Sequence, residues 1–532
     1  MRIIDVSIKN YRGFDSFHWT IGHDVNYIVS CNAGGKTNLL TALALALGQA
    51  RSVSRADFTD PTQPLEIVLT LALTDPVEEV ARFADFVDFG AERKLVIGAQ
   101  ATWDEPADEV EFTVGFPRYQ WRRTSRRDLS ALPVLWVPAD RDPLHLLSFG
   151  LKRGPLRRAL SGVDLGQDLA TARLQIVDAL SNLGNAPGIA TVLRKAAQFL
   201  QDVEQEATQR NVTGTPSVQT NEDVMKQLEL SVEWMQVSLP ITRQSSGVDQ
   251  LLLFAVLLAT AKDGAVLLID EPETSLHPHA QRALATMLAR AGSQVFVATH
   301  SPAMLDSVDP RHVVQLSRTA AGVETRTAST LTPDQALDLA RYSRGLGAEA
   351  FFANKVVFVE GLSDERAVEA LARRIGRNLD AEGTTVLSLD GAGTLVPYLA
   401  LFGPHGFAMD LAGLCDVDHE EPWRRALTNA GLGTATRAEM AARRFFVCDP
   451  DLETCLVGAL GDRKVEEIVD HYGRSDELTR FVQQPTQVAK SHSAVLAAFL
   501  HKGNVFWVPR LVDELELAER APTALFELID AI

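Results

Sequence analysis

Two segments constrain this chain more than any other: Val356-Val357-Phe358-Val359-Glu360-Gly361-Leu362-Ser363-Asp364 and, further on, Leu414-Cys415-Asp416-Val417-Asp418. Each puts acidic residues directly after a short apolar run, the pattern of a strand that delivers carboxylates to the edge of a sheet. Glu360 and Asp364 stand four apart across a strand-to-helix turn. Asp416 and Asp418 occupy alternate positions, so an extended backbone would point both the same way. Hard oxygen donors of this kind suit Mg2+, Mn2+ or Ca2+ rather than zinc. Between them, Asp390-Gly391-Ala392-Gly393-Thr394 would let a phosphate or a partner strand approach the backbone closely. The plain alternative, polar strand ends without function, has to explain all three pieces at once.

A parallel sheet of this type belongs to a larger organisation. The chain has 532 residues, 46% apolar and 23% charged, which is ordinary for globular protein and too long for one core, so two or three domains are expected. From residue 1 to about 345, strand-like runs at 25–29, 65–73, 134–137, 266–269 and 295–298 alternate with helical patterns, as in a parallel sheet wrapped on both faces. Residues 154–232 turn mostly helical, with Leu169, Ala172, Leu174, Ile176, Leu180 and Leu183 in helical spacing. The expected division is therefore a first part at 1–153, a helical insertion at 154–232, a return at 233–345 and a second α/β domain at 346–532. Runs at 356–359, 386–389, 412–415, 445–447 and 505–508 are its expected strands, and Val368, Leu371, Ala372 and Ile375 its first helix face.

Net charge is −18, which argues against a surface coated for nucleic acid but leaves room for a basic groove. Residues 116–127 interleave aromatics with five arginines and would either track a phosphate backbone or form a solvated hairpin or subunit contact. Cys31, Cys415, Cys448 and Cys455 form no C-x-x-C pair and read as buried thiols. No secretory signal opens the chain, and its greasiest run, 251–261, is short of the roughly 20 residues a spanning helix needs, so a cytoplasmic protein is expected.

Ser30-Cys31-Asn32-Ala33-Gly34-Gly35-Lys36-Thr37 follows one apolar run and precedes a helical pattern. It is the phosphate loop G-x-x-x-x-G-K-[ST] with Ser30 at the first glycine, a position where a side chain would bring strain. Backbone N–H groups from Asn32, Gly34 and Gly35 would cradle ATP phosphates, Lys36 would reach the terminal ones and Thr37 would bind Mg2+. Leu267-Leu268-Ile269-Asp270-Glu271 ends a strand in two acids, Asp270 for the Mg2+ shell and Glu271 to polarise a hydrolytic water. Ser245-Ser246-Gly247 precedes a very apolar helix whose N-terminus would close on a phosphate, and His300 follows another strand.

Phosphate loop, Ser-Ser-Gly signature, acidic strand and His300, in that order, resemble ATP-binding-cassette ATPases of the DNA-repair type. Ile8-Lys9-Asn10-Tyr11-Arg12-Gly13-Phe14 and the segment Trp136-Val137-Pro138-Ala139-Asp140-Arg141-Asp142 add to the likeness, although Arg12 and Arg141 read equally as surface ion pairs. E-G-x-x-D followed by D-x-D resembles the Toprim domain, and its fusion behind such an ATPase resembles the OLD (overcoming lysogenization defect) nuclease family, including the Gabija nuclease.

That resemblance implies an ATPase with a helical dimerisation insertion followed by an α/β Toprim domain cutting DNA with two metals. Glu360, Asp416 and Asp418 would hold one metal, Asp364 and Glu453 the other, and Lys502, with Lys490 as rival, would stabilise transition-state charge. It further implies a homodimer or tetramer and, in some members, a helicase partner of the UvrD kind, with antiphage defence or DNA processing as the role. A DNA-clamping ATPase with a non-cutting Toprim region is the competing reading. A topoisomerase would need a tyrosine on a DNA-gripping module and a primase a zinc region, and neither pattern is present in the sequence.

Overall fold

In the computed structural model the described residues are all except 31–33, 51, 74–80, 152, 153, 155, 157–163, 205–211, 214, 235, 236, 262, 263, 307, 320, 321, 329, 330, 343–346, 390–394, 434, 435, 488 and 489. They form two compact units, one of Met1–Val137, Gly264–Glu273 and Pro278–Ile532, the other of Pro138–Asp263 with Thr274–His277.

The larger unit carries three sheets. One has six strands in the order Gly322–Thr327, Val313–Thr319, Val25–Val29, Gln294–Ala298, Val266–Asp270 and Val134–Val137, parallel except for the first pair. Val25–Val29, Gln294–Ala298 and Val266–Asp270 are buried at every position, which is why they read as nearly unbroken apolar runs. Buried Gln294 exchanges two hydrogen bonds with the backbone of Ile3, at 2.7 and 2.8 Å, tying this sheet to its neighbour. Helix Lys36–Ala46 buries Leu39, Leu40 and Leu43 completely in the shared core, each worth about 1.5–3 kcal/mol of transfer free energy.

That neighbouring sheet corrects the expectation of a single parallel sheet before residue 345. Its strands, among them Arg2–Tyr11, Phe14–Thr20, Leu65–Ala72, Arg93–Asp104 and Glu109–Phe116, pair antiparallel. Leu65, Ile67, Leu69 and Leu71 are buried while the residues between them are half-buried, the alternation of a sheet covered on one face. Strand composition alone does not reveal pairing direction.

The third sheet is wholly parallel, in the order Thr384–Ser388, Lys355–Val359, Asp410–Asp416 and Phe445–Cys448. Helix Leu362–Arg374 packs on it through Val368, Leu371 and Ala372 as expected, whereas Ile375, just past the helix, is exposed. The expected strand at 505–508 is instead part of helix Asn504–Asp513, with Trp507, Val508, Leu511 and Val512 buried. A four-residue apolar run fits either period, and here the one-and-four spacing wins. The boundary expected between 345 and 346 lies outside the described residues, and the chain on both sides of it belongs to one compact unit.

In the smaller unit, helices Gly166–Gly184 and Pro187–Glu204 account for the helical insertion, with strands Ser231–Trp234 and Val237–Pro240 paired and helix Ser246–Thr260 following. Leu174, Leu183, Ile189 and Val192 are exposed. Among the described residues no helix is long and apolar enough to cross a membrane.

Candidate active site

Strand order explains how distant carboxylates meet. Lys355–Val359, Asp410–Asp416 and Phe445–Cys448 are consecutive in the third sheet, with Val359 opposite Leu414 and Asp416 opposite Cys448. Neighbouring parallel strands lie about 4.8 Å apart. The residues leaving their carboxyl ends, Glu360, Asp416 and the turn before Glu453, are therefore side by side. Glu360 Oε1 accepts a hydrogen bond from the Asp416 backbone N–H at 2.6 Å, and Asp416 Oδ1 accepts one from Leu452 N at 3.1 Å. Asp364, in the first turn of its helix, turns back to accept from Gly361 N at 2.9 Å.

The electrostatics join these groups into one field. Burial, with Glu453 and Glu360 adding repulsion, pushes the Asp364 carboxyl up to about 7. Burial and then Asp364, Glu360, Glu453 and Asp451 push Asp416 up to about 8. Glu453 is 4% exposed. Two histidines that the sequence reading did not single out stand beside the acids: His419 Nδ1 lies 2.5 Å from Glu360 Oε2, and His501 Nδ1 lies 3.4 Å from Glu453 Oε1. Isolated histidines on helices carry no periodic signal, so only the fold reveals them.

Asp418 departs from the expectation. The strand ends at Asp416 and helix Val417–Asn429 begins at once, so Asp418 sits exposed in a helical first turn rather than two residues along a strand. Alternate positions share a side only in extended backbone. Lys502 holds its ammonium over the Phe481 ring, 4.4 Å from the centroid, while its neighbour His501 faces Glu453. Lys490 is exposed. The turn Asp390-Gly391-Ala392-Gly393-Thr394 lies outside the described residues.

The donors fit a hard divalent cation in kind: carboxylate oxygens that repel one another and imidazoles that orient them. Among the described residues no three such side chains form a closed metal cage.

The nucleotide site occupies the carboxyl edge of the six-stranded sheet. Gly35 adopts φ 92°, and a Cβ there would meet Phe14 at 3.3 Å, so glycine is required. Lys36, 4% exposed, donates to Ser30 Oγ at 3.0 Å and approaches His300 Nδ1 at 3.4 Å. Ser30 does not take a left-handed conformation, so the strain expected of it is absent, and its hydroxyl instead positions the lysine. Thr37 Oγ1 donates to Asp270 Oδ1 at 3.3 Å.

Burial, helped by Glu271 and Glu273, pushes the Asp270 carboxyl up to about 6 against the Thr37 hydrogen bond and, less, Lys36. Glu271 sits at φ 45°, a conformation costly for a side chain and found at functional sites, and its N–H bonds Ala298 O at 2.9 Å. Glu271 Oε1 is 3.9 Å from His300, whose pKa is lowered by burial and by Lys36. Glu273, which carries no motif signal, accepts from His300 N at 2.6 Å and so aims that loop. Asn32 lies outside the described residues. In the smaller unit Ser245 and Ser246 are exposed at the start of helix Ser246–Thr260, and a Cβ on Gly247 would meet Ser275 O at 3.0 Å.

Two side chains tie the nucleotide sheet to the carboxylate sheet. Gln315, opposite Val29 in the sheet, donates to Phe351 O at 3.3 Å. Arg326 donates to Phe407 O at 3.2 Å and Ala408 O at 2.9 Å, just before strand Asp410–Asp416. Between them is a cavity of about 470 Å3 that reaches Gly34 on one side and Asp410 on the other.

In the arginine-rich 116–127 segment Phe116 is buried, while Arg118, Tyr119, Arg122, Arg123 and Arg127 are exposed. Phe116 stacks on Phe86 at 3.8 Å, Arg122 lies over Phe86, and Arg118 pairs with Asp88 at 3.4 Å. Arg12 pairs with Asp57 at 2.5 Å, and Arg141 donates to Gln250 at 2.9 Å.

Two family models match the sequence: "AAA domain, putative AbiEii toxin, Type IV TA system" over residues 170–306, and "Overcoming lysogenization defect protein-like, TOPRIM domain" over residues 351–418. The chain is 21% identical to the Old nuclease of Escherichia phage P2 over 474 residues, 78% of this chain and 77% of that one. It is 24% identical to the OLD nuclease of Thermus scotoductus over 537 residues, 91% of this chain and 98% of that one. Among solved structures it is similar to the C-terminal region of the Xanthomonas campestris pv. campestris OLD protein, at 22% identity over 35% of this chain and 94% of that one. The TM-score of that match is 0.30, below the level at which a shared fold follows.

Proposed function

We propose, for a chain that carries an AAA-type ATPase domain followed by an OLD-like Toprim domain, that it is an ATP-regulated, divalent-metal-dependent DNA endonuclease. The observation that carries the reading is the meeting of Glu360 and Asp416 across neighbouring strands, with Asp364 and Glu453 in the same field. Mg2+ or Mn2+ held there would activate water for in-line attack and neutralise the leaving oxygen. Within the chain, His419 fixes the Glu360 carboxylate, His501 faces Glu453, and the Asp416 N–H holds the other oxygen of Glu360. Glu360, Asp416 and Asp418 would serve one ion and Asp364 and Glu453 the other; Lys502 remains the candidate for transition-state charge.

ATP and Mg2+ would bind at Gly34, Gly35, Lys36, Thr37 and Asp270, with Glu271 polarising water and His300 near the terminal phosphate. The Ser245-Ser246-Gly247 helix start would complete that site from a second copy, which makes the protein a homodimer or dimer of dimers. Exposed Leu174, Leu183, Ile189 and Val192 supply apolar surface for that contact. Light scattering that returns a monomer at working concentration would remove this part. Gln315 and Arg326 offer the route by which nucleotide reaches the cutting edge. A cytoplasmic role in antiphage defence or DNA processing, with or without a helicase, completes the proposal.

The placement of Asp418, exposed in a helical first turn, favours one other reading, a DNA-clamping ATPase whose Toprim region does not cut. Plasmid nicking with Mn2+ or Mg2+, with and without ATP, separates the two. Losing an ion ligand should remove several kcal/mol of transition-state stabilisation, so Asp416→Ala should nick about a thousandfold more slowly. Equal nicking by both proteins refutes the nuclease reading.

A further inference from the structure

The described net charge of this chain hides one basic, aromatic hollow. Helices Ser475–Val482, His492–His501 and Asn504–Asp513 and their ends line an open hollow of about 280 Å3, at the small end for a ligand site. Its floor is aromatic: Phe481, Phe499 and Trp507 are 5%, 8% and 4% exposed, with successive ring centroids 5.7 and 6.0 Å apart. Its rim is cationic, formed by Arg474, Arg480 and Lys502.

The one acid on that rim, Glu477, is taken by Arg474 at 2.9 Å. Arg480 bonds a backbone carbonyl, Asp476 O, at 3.1 Å, and Lys502 is propped over Phe481. Among the described residues neither meets a carboxylate at ion-pair distance. Two positive charges are thus left over a ring floor in a protein of net charge −18. Cations for phosphate with rings for bases are the recognition chemistry of unpaired nucleic acid.

Its place along the chain is equally specific. The turn that supplies Lys502 and Gly503 to the rim is tied at both ends to the carboxylate elements: His501 faces Glu453 at 3.4 Å, and Asn504 Nδ2 donates to Ser363 Oγ at 3.1 Å, next to Asp364. Three residues of chain span at most about 10 Å, so the rim begins within two or three nucleotides of the acids along a strand.

We propose that this hollow is a subsite for single-stranded DNA, seating the base and sugar of an unpaired nucleotide on the rings and its flanking phosphates on Arg480 and Lys502. Paired bases in a duplex are stacked away from such a hollow. The inference rests on the nuclease reading for why a strand passes here, while the chemistry of the hollow stands separately. It predicts that the strand leaving the cutting edge is gripped after it has separated from its complement.

The test uses the full chain in chelator, where nothing is cut, and fluorescence anisotropy of labelled oligo-dT across a salt series. An Arg480→Gln variant should flatten the log affinity against log salt slope by about 0.7, the value of one phosphate contact. Affinity for a duplex of the same length should change far less. Arg480 is exposed, and unchanged ATP binding checks that the variant is folded; Arg480→Glu provides a second check of the same slope. No oligo-dT binding, an unaltered slope, or equal weakening toward duplex overturns the subsite. Undiminished nicking by Asp416→Ala, with the arginine dependence of oligo-dT binding intact, would sink the nuclease reading and leave the subsite standing.

Discussion

The nucleotide site and the carboxylate edge are built alike and charged differently. Both lie at the carboxyl ends of buried parallel strands, where short apolar runs hand over to polar residues. In the first, burial, Glu271 and Glu273 raise the Asp270 carboxyl to about 6, offset by the Thr37 hydroxyl and then by buried Lys36. In the second, the neighbours that act on Asp364 and Asp416 are further carboxylates, and those two rise to about 7 and about 8. Buried like charges are tolerated only when a counter-charge arrives or protons remain. The contrast teaches that a lysine and a hydroxyl inside an acidic cluster keep its carboxyl nearer the ordinary range than acids alone do.

The sharpest way to test that contrast is through the histidine that holds Glu360. His419→Ala should weaken Mn2+ binding and nicking by about 10–100-fold, the usual cost of losing a group that orients a ligand, while ATP binding is untouched. Calorimetry with Mn2+ and a nicking assay measure it; unchanged metal affinity would mean that His419 only packs.

A smaller effect is expected where the two sheets are joined. Arg326→Ala removes the grip on Phe407 O and Ala408 O without touching either site. Any ATP dependence of nicking should shrink by about 3–30-fold, a coupling of about 0.5–2 kcal/mol, with the ATP-free rate preserved. An ATP response identical to that of the parent protein would show that the connection lies elsewhere.

The smallest effect concerns pH. Both carboxyl shifts are upward, so the fold favours the protonated forms of Asp364 and Asp416. That advantage is complete below the ordinary carboxyl value and is lost as pH climbs through about 7 and then about 8. In chelator the melting temperature should fall over that range, and Asp364→Asn should fall less. Adding Mg2+ or Mn2+ should restore the parent most at the alkaline end. A melting temperature indifferent to pH and metal would remove the distinction between the two sites.

Much of this arrangement was legible in the residues. Glu360, Asp364 and Asp416 each follow an apolar run that ends a strand, and Lys36, Thr37 and Asp270 lie in a motif whose spacing has a mechanical reason. Two local expectations failed: the extended backbone through Asp418, because helix Val417–Asn429 starts directly after Asp416, and the strand at 505–508, because four apolar residues fit two periods. His419, His501 and Glu273 were invisible because their roles depend on partners 59, 48 and 27 residues away.

The sequence by itself determined that acids would stand at strand ends and that a phosphate loop would precede a helix, because burial pattern and turn chemistry are local. Only the tertiary structure decided which strand ends are neighbours, since the order of strands in a sheet is set by packing over the whole core. That order brings Glu360 to the backbone of Asp416, and the low polarity of the packed interior turns separate carboxylates into one electrostatic site.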